Sequence, residues 1–210
     1  MAQRVRALGE LDRLREARAL HDEVFQAFVA RDGAYGAEAS HLRWFRVADA
    51  VYGDDCAAVE DAYLRLSDGA ESVNGMRWLA VSWRRCDGPE AAAKAVAWQS
   101  RAVELADTSD EPLMRRVYLE LATYTSAAGD MDAALKAYKT AADLGSAAAA
   151  NNYAYQLSVN RGDAETALPY AEKANQLLPG NAAILDTLGW VHHLLGNYEQ
   201  AEQYLRESVL

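Results

Sequence analysis

Two stretches near the C-terminal end of the chain decide the fold. The sequence GNYEQAEQYL spans residues 196–205, and GDAETALPYA spans residues 162–171, which is 34 positions earlier. A Gly, an Ala and a helix-facing residue recur in register: Gly162 and Gly196, Ala167 and Ala201, Ala171 and Leu205. Self-similarity at a fixed spacing of this size is the sequence signature of a protein built from copies of one structural unit.

The last copy, residues 181–210, predicts two amphipathic helices joined by a turn. Asn181 follows Pro179 and Gly180, and we expect it to cap the first helix. Gly196 ends that helix, and the second helix follows. The residues predicted to form the two apolar stripes are Leu185, Leu188, Gly189 and His192, then Tyr198, Ala201, Leu205 and Ser208. Because one hairpin cannot bury its apolar face alone, the copies are expected to stack.

Two earlier copies, at residues 113–146 and 147–180, have the same layout. Their turns contain Gly129 and Gly162, and the spacing of 33 residues indicates one residue fewer in the link around Gly145. The predicted stripes are Tyr118, Leu121, Ala122, Thr125, Ala134, Tyr138 and Ala141, then Asn151, Ala154, Tyr155, Ser158, Ala167, Ala171 and Ala174. Small residues at the helix crossings predict that the two backbones of each hairpin approach closely.

This spacing resembles the tetratricopeptide repeat, a helix–turn–helix unit of 34 residues with the pattern W-x2-L-G-x2-Y…A-x3-F…P. The positions that match are Leu188, Gly189, Ala201 and Leu205 in the last copy and Ala154, Tyr155, Ala167, Ala171 and Pro179 in the middle one. No copy has Trp at the first position, where Tyr118, Asn151 and Leu185 stand. The resemblance implies an all-α fold, a right-handed α-solenoid of helix–turn–helix repeats.

The signal is weaker over residues 1–112. We expect divergent helical repeats there, preceded by a lone helix over residues 11–30. The segments that suit such repeats are residues 44–51, 56–66, 76–83 and 91–106. A helical cap unrelated to the repeats stays open as an alternative for this part. With the clear repeats of residues 113–210, it is expected to form one continuous solenoid.

The resemblance also implies that a peptide or a helix of a partner protein binds in the concave groove, which the first helices line. The side chains expected to point into this groove are Arg115, Leu119, Glu120, Thr123, Asn152, Tyr153, Gln156, Asn160, Asp186, Thr187, Trp190 and His193. Amide side chains bond a peptide backbone in both directions, and Trp offers flat apolar contact. Packing of Trp190 against a neighbouring helix stays open as an alternative.

One subclass of the family grips the C-terminal carboxylate of heat-shock chaperones with a clamp that includes cationic side chains. Its positions here hold Leu119, Thr123, Tyr153, Ala183 and Thr187. None of these is cationic, and Arg115 stands nearby alone. The sequence therefore disfavours that subclass.

The sequence stops at Leu210, inside the predicted last helix, and leaves Leu205 and Val209 on an open apolar face. Repeat arrays usually need a polar terminal cap. This favours a second hypothesis beside the groove-binding scaffold. In it, the chain is a structural or regulatory segment of a larger assembly, which can be enzymatic, or it forms a homo-oligomer through this C-terminal face.

The composition restricts the partners. The formal net charge is −10 and no segment is basic, so nucleic acid and anionic membranes are unsuitable partners, whereas a neutral or basic protein is compatible. No apolar stretch suits a signal peptide or a membrane span, which predicts a cytoplasmic protein. The excess of Arg over Lys suggests a GC-rich bacterial genome.

No residue pattern predicts catalysis, a metal or a cofactor. Cys56 and Cys86 lack a Cys-x-x-Cys spacing and are expected to be small buried apolar residues rather than a disulfide or a zinc site. His192 and His193 point about 100° apart on a helix and make no two-ligand face. Phosphate-binding loops and nucleophile motifs are missing from the sequence. We predict a non-enzymatic scaffold or adaptor.

Overall fold

The computed structural model describes residues 45–46, 48–49, 52, 55–88 and 90–209. Nine helices lie within residues 55–209, residues 45–46, 48–49 and 52 are also helical, and no strand occurs among the described residues. The helices are α1 Cys56–Leu66, α2 Val73–Arg85, α3 Ala91–Leu105, α4 Glu111–Ala127, α5 Met131–Asp143, α6 Ala147–Gln156, α7 Ala164–Leu177, α8 Ala182–Leu194 and α9 Tyr198–Ser208. A π-helical turn, Leu157–Arg161, extends α6. The helix predicted over residues 11–30, and Trp44, Val47 and Val51 of the next predicted helix, lie outside the described residues.

The helices belong to two compact units, with the boundary between Leu105 and Ala106. The first unit contains α1, α2 and α3, and the second contains α4 to α9. The expectation that residues 1–112 and 113–210 form one continuous solenoid stays a prediction.

Helix hairpins make up the second unit. Helix α4 packs on α5, α6 on α7 and α8 on α9, and α5 and α7 each also contact the first helix of the next hairpin. Each hairpin turns at a glycine with a left-handed backbone, with φ of +86° at Gly129, +66° at Gly162 and +77° at Gly196. Residues with a Cβ rarely adopt this conformation, which explains why Gly recurs at these positions.

Polar side chains start these helices at the positions that the sequence indicates. The capping residues are Asp110, Asp130, Ser146, Asp163 and Asn181, and each accepts a hydrogen bond from the backbone N–H three residues further on. The predicted cap at Asn181 is thereby confirmed. The link between α5 and α6 has three residues, 144–146, and that between α7 and α8 has four, 178–181. Helix α5 is also one residue shorter than α7, whereas α6 with its π-helical turn is one residue longer than α8 with the residue that precedes Gly196, and together these differences leave the Gly129–Gly162 spacing one residue shorter.

Replacing Asn181 by Ala is expected to lower the free energy of unfolding by about 1 kcal/mol, because the first turn of α8 loses its side-chain acceptor. In the native chain, Asn181 Oδ1 accepts the Ile184 N–H at 3.2 Å. Urea unfolding followed by circular dichroism measures the change. Asn181→Asp keeps a capping oxygen and is the matched control. Equal stability of the Ala and Asp variants would show that the cap contributes nothing.

The last hairpin shows how closely two helices of one repeat approach. A Cβ added to Gly189 of α8 would lie 2.7 Å from Cγ of Leu205 and 3.2 Å from the carbonyl oxygen of Ala201, both on α9. The predicted close approach is confirmed here. In the middle hairpin, Tyr155 and Ala171 hold the positions of Gly189 and Leu205, and Tyr155 is 46% exposed. The placement of Tyr155 on the buried apolar stripe is therefore wrong. At the equivalent position of the last hairpin, the space between the two helices has no room even for a Cβ, and the Tyr155 ring lies partly in solvent instead.

In the first unit, α2 packs on α3, and α1 contacts α2. The core of this unit contains fully buried side chains of α1, α2 and α3 and of Ala48, among them Val59, Tyr63, Met76 and Ala102. Partly buried Trp98 and Leu105 of α3 pack against this core. The segments 56–66 and 91–106, read as helical in the sequence, coincide with α1 and α3.

One prediction for the first unit is wrong. Cys56, the first residue of α1, and Cys86, the residue after α2, form a disulfide, with their Cα atoms 6.3 Å apart. They are therefore not two independent apolar residues. The contact between α1 and α2 brings together two cysteines that are 30 positions apart in the sequence, and the spacing alone carries no sign of it.

A carboxylate joins helices α1, α2 and α3 of the first unit. Glu60 of α1, whose side chain is 14% exposed, accepts hydrogen bonds from the indole N–H of Trp83 on α2 and from that of Trp98 on α3, the latter at 2.8 Å. Lys94 Nζ of α3 lies 2.9 Å from Glu60 Oε1 and 5.5 Å from the centre of the Trp83 ring. We call these four residues the Glu60 cluster. Its donors lie 23 to 38 positions from Glu60 along the chain.

Candidate functional site

The groove residues predicted from the sequence lie on α4, α6 and α8, the first helices of the three hairpins, and on the π-helical turn after α6. Helices α6 and α8 contact each other directly. Gln156 and Trp190, 34 positions apart, hold equivalent positions on them. The three helices differ in how far their predicted residues remain available to a ligand.

The residues of α4 are engaged within the protein. Arg115 donates a hydrogen bond from Nη1 to the carbonyl oxygen of Gly145 at 3.2 Å, and so holds the link between α5 and α6. Leu119 packs against the apolar core of α4, α5 and α6. The hydroxyl of Thr123 donates to the carbonyl of Leu119, one turn earlier on the same helix, at 2.9 Å. This part of the predicted groove offers a ligand few free polar atoms.

The residues of α6 fall into two groups. Tyr153 is half-buried and packs edge-to-face on Tyr170 of α7, with ring centres 4.6 Å apart, and burial raises its pKa. Asn152 accepts a weak hydrogen bond from Asn151 at 3.5 Å. By contrast, Gln156 and exposed Asn160 reach the surface and bond to each other. They lie where α6 passes into the wider π-helical turn, a local geometry that often accompanies functional sites.

The residues of α8 form an exposed aromatic group. Trp190 is 42% exposed and stacks on His193, with ring centres 5.4 Å apart. His193 in turn contacts Tyr198, the first residue of α9, at 5.7 Å. We call Trp190, His193 and Tyr198 the aromatic row. Asp186 is exposed one turn before Trp190.

Sequence reasoning missed some residues of this region and misplaced one. Thr187 is buried and donates its hydroxyl hydrogen bond to the Ala183 carbonyl at 3.0 Å, so its expected place in the groove is wrong. The sequence pattern places Tyr198 only on the apolar stripe of α9, yet its side chain is 67% exposed. Val159 and Leu194 are also large exposed apolar residues. In the sequence, Val159 precedes Asn160 and Leu194 follows His193, so each lies next to a predicted groove residue.

The C-terminal face is a second surface feature of this unit. An open groove of about 510 Å³ runs along α9, and its lining includes His193, Tyr198, Leu205, Arg206 and Val209. Val209 is 82% exposed, whereas Leu205 is half-buried against the close contact at Gly189. Glu202 and Arg206 form an ion pair on the same side. Apolar side chains thus lie beside a pair of opposite charges.

Two further observations concern chemistry and membranes. Among the residues that the structure describes, no group of three or more His, Cys, Asp or Glu is arranged to hold a metal ion. In the same part of the chain, no helix combines the length and the apolar character needed to cross a bilayer.

Comparison with known proteins agrees with this geometry. A family model described as tetratricopeptide repeat matches residues 159–210. No curated protein matches the sequence. A solved structure of MamA is similar, with 18% identity, a TM-score of 0.60, and coverage of 74% of this chain and 87% of that one.

Two other solved structures are similar over most of this chain. YrrB, described as a tetratricopeptide repeat protein with an unusual peptide-binding site, is 16% identical, with a TM-score of 0.59 and coverage of 88% of this chain and 90% of its own. The Cut9–Hcn1 hetero-tetramer of the APC/C is 15% identical, with a TM-score of 0.56 and coverage of 93% of this chain and 35% of that one.

These likenesses define the class, an α-solenoid of helix–turn–helix repeats, and they confirm the predicted fold class. The match to the tetratricopeptide repeat family model is confined to residues 159–210, and the solved structures show that the chain shares the fold. Proteins with this fold are in general scaffolds for interactions with other proteins or peptides.

Proposed function

We propose that the second unit binds an extended peptide or a helix of a partner protein across α6 and α8. The observation that carries this proposal is the presence of half-buried Gln156 at the end of α6 and exposed Asn160 on the π-helical turn beside the exposed Trp190 and His193 of α8. We call Gln156, Asn160, Trp190 and His193 the amide–aromatic surface. The peptide-binding site named for YrrB, which has a similar fold, supports the same use of this fold here.

The chemistry of this surface suits a peptide backbone. Gln156 and Asn160 each carry both a donor and an acceptor, and their mutual hydrogen bond can be exchanged for bonds to peptide N–H and C=O groups. Trp190 presents a broad apolar ring with 42% of its surface still exposed, and Trp is enriched among residues that dominate binding energy. The net charge of −10 and exposed Asp186 favour a neutral or basic partner over an acidic one.

The double substitution Gln156→Ala/Trp190→Ala is expected to weaken peptide binding at least about 10-fold, because it removes the amide and the main apolar contact together. The probe is a peptide selected against the full chain from a random library. Its dissociation constant is measured by fluorescence anisotropy. Both replaced side chains reach the surface, so thermal unfolding should change little.

The matched control is Gln176→Ala/Leu177→Ala on α7, which removes one exposed Gln and one exposed apolar side chain from a second helix. This variant should bind the selected peptide like the native chain. If both double substitutions weaken peptide binding equally, or if neither weakens it, the peptide binds outside the surface of α6 and α8. Failure to select any peptide would argue against the peptide-binding proposal itself.

Catalysis is not part of this proposal, because the amide–aromatic surface lacks a nucleophile with a positioned base. The cytoplasmic location and the bacterial origin stay predictions. The disulfide between Cys56 and Cys86 weighs against a cytoplasmic location, since disulfides persist mainly in oxidising compartments.

Self-association through the C-terminal face is the second candidate function. Tyr198 and Val209 are strongly exposed there, and Glu202 and Arg206 lie one turn apart beside them. In an antiparallel contact between two copies of α9, Glu202 of each copy would face Arg206 of the other, so the face is complementary to itself. A second copy of this chain is therefore the occupant that we propose.

We expect Val209→Lys to shift such a dimer to the monomer, since it places a charge in the apolar part of the contact. Sedimentation velocity over a range of protein concentrations measures the shift. Lys136→Ala, an exposed change on α5, is the control and should leave the dimer intact. A native chain that stays monomeric at the highest concentration would rule out this second candidate.

A further inference from the structure

The disulfide in the first unit has no part in the scaffold function proposed for the second. We propose that Cys56–Cys86 is a thiol–disulfide exchange site for a low-molecular-weight thiol. The incoming thiolate attacks Sγ of Cys86, and Cys56 is the leaving group. Three features of the structure carry this assignment: unequal access to the two sulfurs, a polar environment built around Cys56, and a second set of bonds that holds the helices together.

The two sulfurs differ in access. Cys56 is only 3% exposed, whereas Cys86 is partly exposed at the end of α2. An open cavity of about 660 Å³ lies against the disulfide, with Trp83, Arg85 and Asp87 also in its lining. This space admits a molecule the size of a short thiol peptide. Since exchange needs direct approach to the attacked sulfur, Cys86 is the accessible target.

The surroundings of Cys56 suit a departing thiolate. Cys56 is the first residue of α1, where free backbone N–H groups and the positive end of the helix dipole favour a negative sulfur. Fully buried Ser82 has its hydroxyl oxygen 3.9 Å and its carbonyl oxygen 3.0 Å from Cys56 Sγ. The hydroxyl can donate to the thiolate, and the carbonyl can accept from the thiol. Both forms of reduced Cys56 thus have a partner in place.

The charged groups around the cavity do not cancel the stabilisation of a thiolate at Cys56. Arg85 provides a cation, although it is paired with Asp49. The carboxylate of Asp55 already accepts the backbone N–H of Ala58. Asp87 is exposed to solvent, which screens its charge. The buried hydroxyl of Ser82, 3.9 Å from the leaving sulfur, is the hydrogen-bond donor that these contacts identify.

The exchange balances in two steps. The thiolate RS⁻ forms a bond to Sγ of Cys86 as the Cys56–Cys86 bond breaks, and Cys56 leaves as a thiolate that takes a proton from water. A second RS⁻ attacks the sulfur of R in the mixed disulfide, giving RSSR and the thiolate of Cys86, which is protonated in turn. The protein disulfide gains two electrons, and two molecules of thiol are oxidised to one disulfide.

Reduction need not unfold the first unit, because the Glu60 cluster still connects α1 to α2 and α3. The disulfide closes a segment of 30 residues, so its loss should lower the midpoint of thermal unfolding of this unit by roughly 15 °C or more. The exchange site would therefore adjust the stability of α1 reversibly, according to the thiol concentration around the protein.

The test uses the oxidised full chain and glutathione as the probe. After brief exposure, free thiols are blocked by alkylation, and peptides are analysed by mass spectrometry. We expect glutathione on Cys86 and the alkyl group on Cys56, with at least a 10-fold excess over the reverse pattern. Mixed disulfide on both cysteines equally, or on Cys56, would overturn the assignment. So would a disulfide that glutathione attacks only after denaturation.

A variant tests the role of the buried hydroxyl as a positioning group. Ser82→Ala should slow the release of Cys56 about 10-fold, with Cys86 still the modified residue. Ser67→Ala, which removes a buried hydroxyl at the far end of α1, is the control and should react like the native chain. Equal rates for all three chains would remove Ser82 from the proposal. The pattern of modification in the native chain decides the attacked sulfur even if Ser82→Ala does not fold.

Discussion

Replacing Glu60 by Ala is expected to lower the free energy of unfolding of the first unit by about 2–4 kcal/mol. The substitution leaves the indole N–H groups of Trp83 and Trp98 without their acceptor and Lys94 without its counter-charge. Trp83 is 8% exposed, so water cannot readily replace the lost carboxylate. The loss exceeds that of a surface ion pair because three donors on two helices depend on one group.

Urea unfolding with tryptophan fluorescence measures this change. A Trp190→Phe background removes the sole Trp of the second unit, so the remaining fluorescence reports on the first. The control Asp61→Ala breaks the exposed pair with Arg65 on the same helix and should change stability by about 0.5 kcal/mol or less. Glu60→Gln keeps one acceptor oxygen, so its loss of unfolding free energy should lie between those of Glu60→Ala and Asp61→Ala. A loss no larger than that of Asp61→Ala would show that the Glu60 cluster does not hold the helices together.

Gly189→Val is expected to destabilise the second unit by about 2–3 kcal/mol, because it forces carbon atoms into a space that α8 and α9 already share. The first added carbon alone would lie 2.7 Å from Leu205 Cγ and 3.2 Å from the Ala201 carbonyl oxygen. Leu205 can move in part, but the backbone of α9 cannot move without losing its packing. Urea unfolding followed by circular dichroism, which reports helix content in both units, measures the loss.

A second substitution separates this clash from other effects. Leu205→Ala removes the side chain nearest to the new carbons, so Gly189→Val/Leu205→Ala should be more stable than the sum of the single changes predicts, by about 1 kcal/mol or more. Strict additivity would mean that the two residues do not meet. Gly189→Ala should be milder than Gly189→Val, since better helix propensity partly offsets the strain.

The equivalent positions of the three hairpins show what a repeat pattern leaves open. The pairs are Ala122 with Tyr138, Tyr155 with Ala171 and Gly189 with Leu205. In each pair, one residue is small and the other is large, but the order changes in the middle hairpin. Tyr138 is buried, whereas Tyr155 is largely exposed. The repeat therefore predicts which positions of the two helices are equivalent in each hairpin. The burial of a residue at such a position depends on which of the two helices has the larger side chain.

In the candidate site too, some features follow from the repeat pattern and others depend on the tertiary structure. Its placement on α6 and α8 is a prediction from the repeat register; Asn160, Trp190 and His193 are exposed in the structure, and Gln156 is half-buried. The α4 part does not remain free, because Arg115 bonds to Gly145 and Thr123 bonds to its own helix. No residue pattern indicates the contact of Arg115, since it depends on where the Gly145 carbonyl lies in the folded chain, whereas the bond of Thr123 to the carbonyl one turn earlier is local.

The sequence alone determined the features that depend on neighbours within a few residues: the helix hairpins, their polar caps and the glycine turns. A cap bonds a backbone N–H three residues away, and a left-handed turn needs a glycine at one position, so both can be recognised locally. Only the tertiary structure decided the pairing of Cys56 with Cys86, the gathering of donors around Glu60 and the exposure of Tyr155. The physical reason is that these contacts join residues on different helices, and their distances depend on the side-chain volumes that set how closely the helices pack.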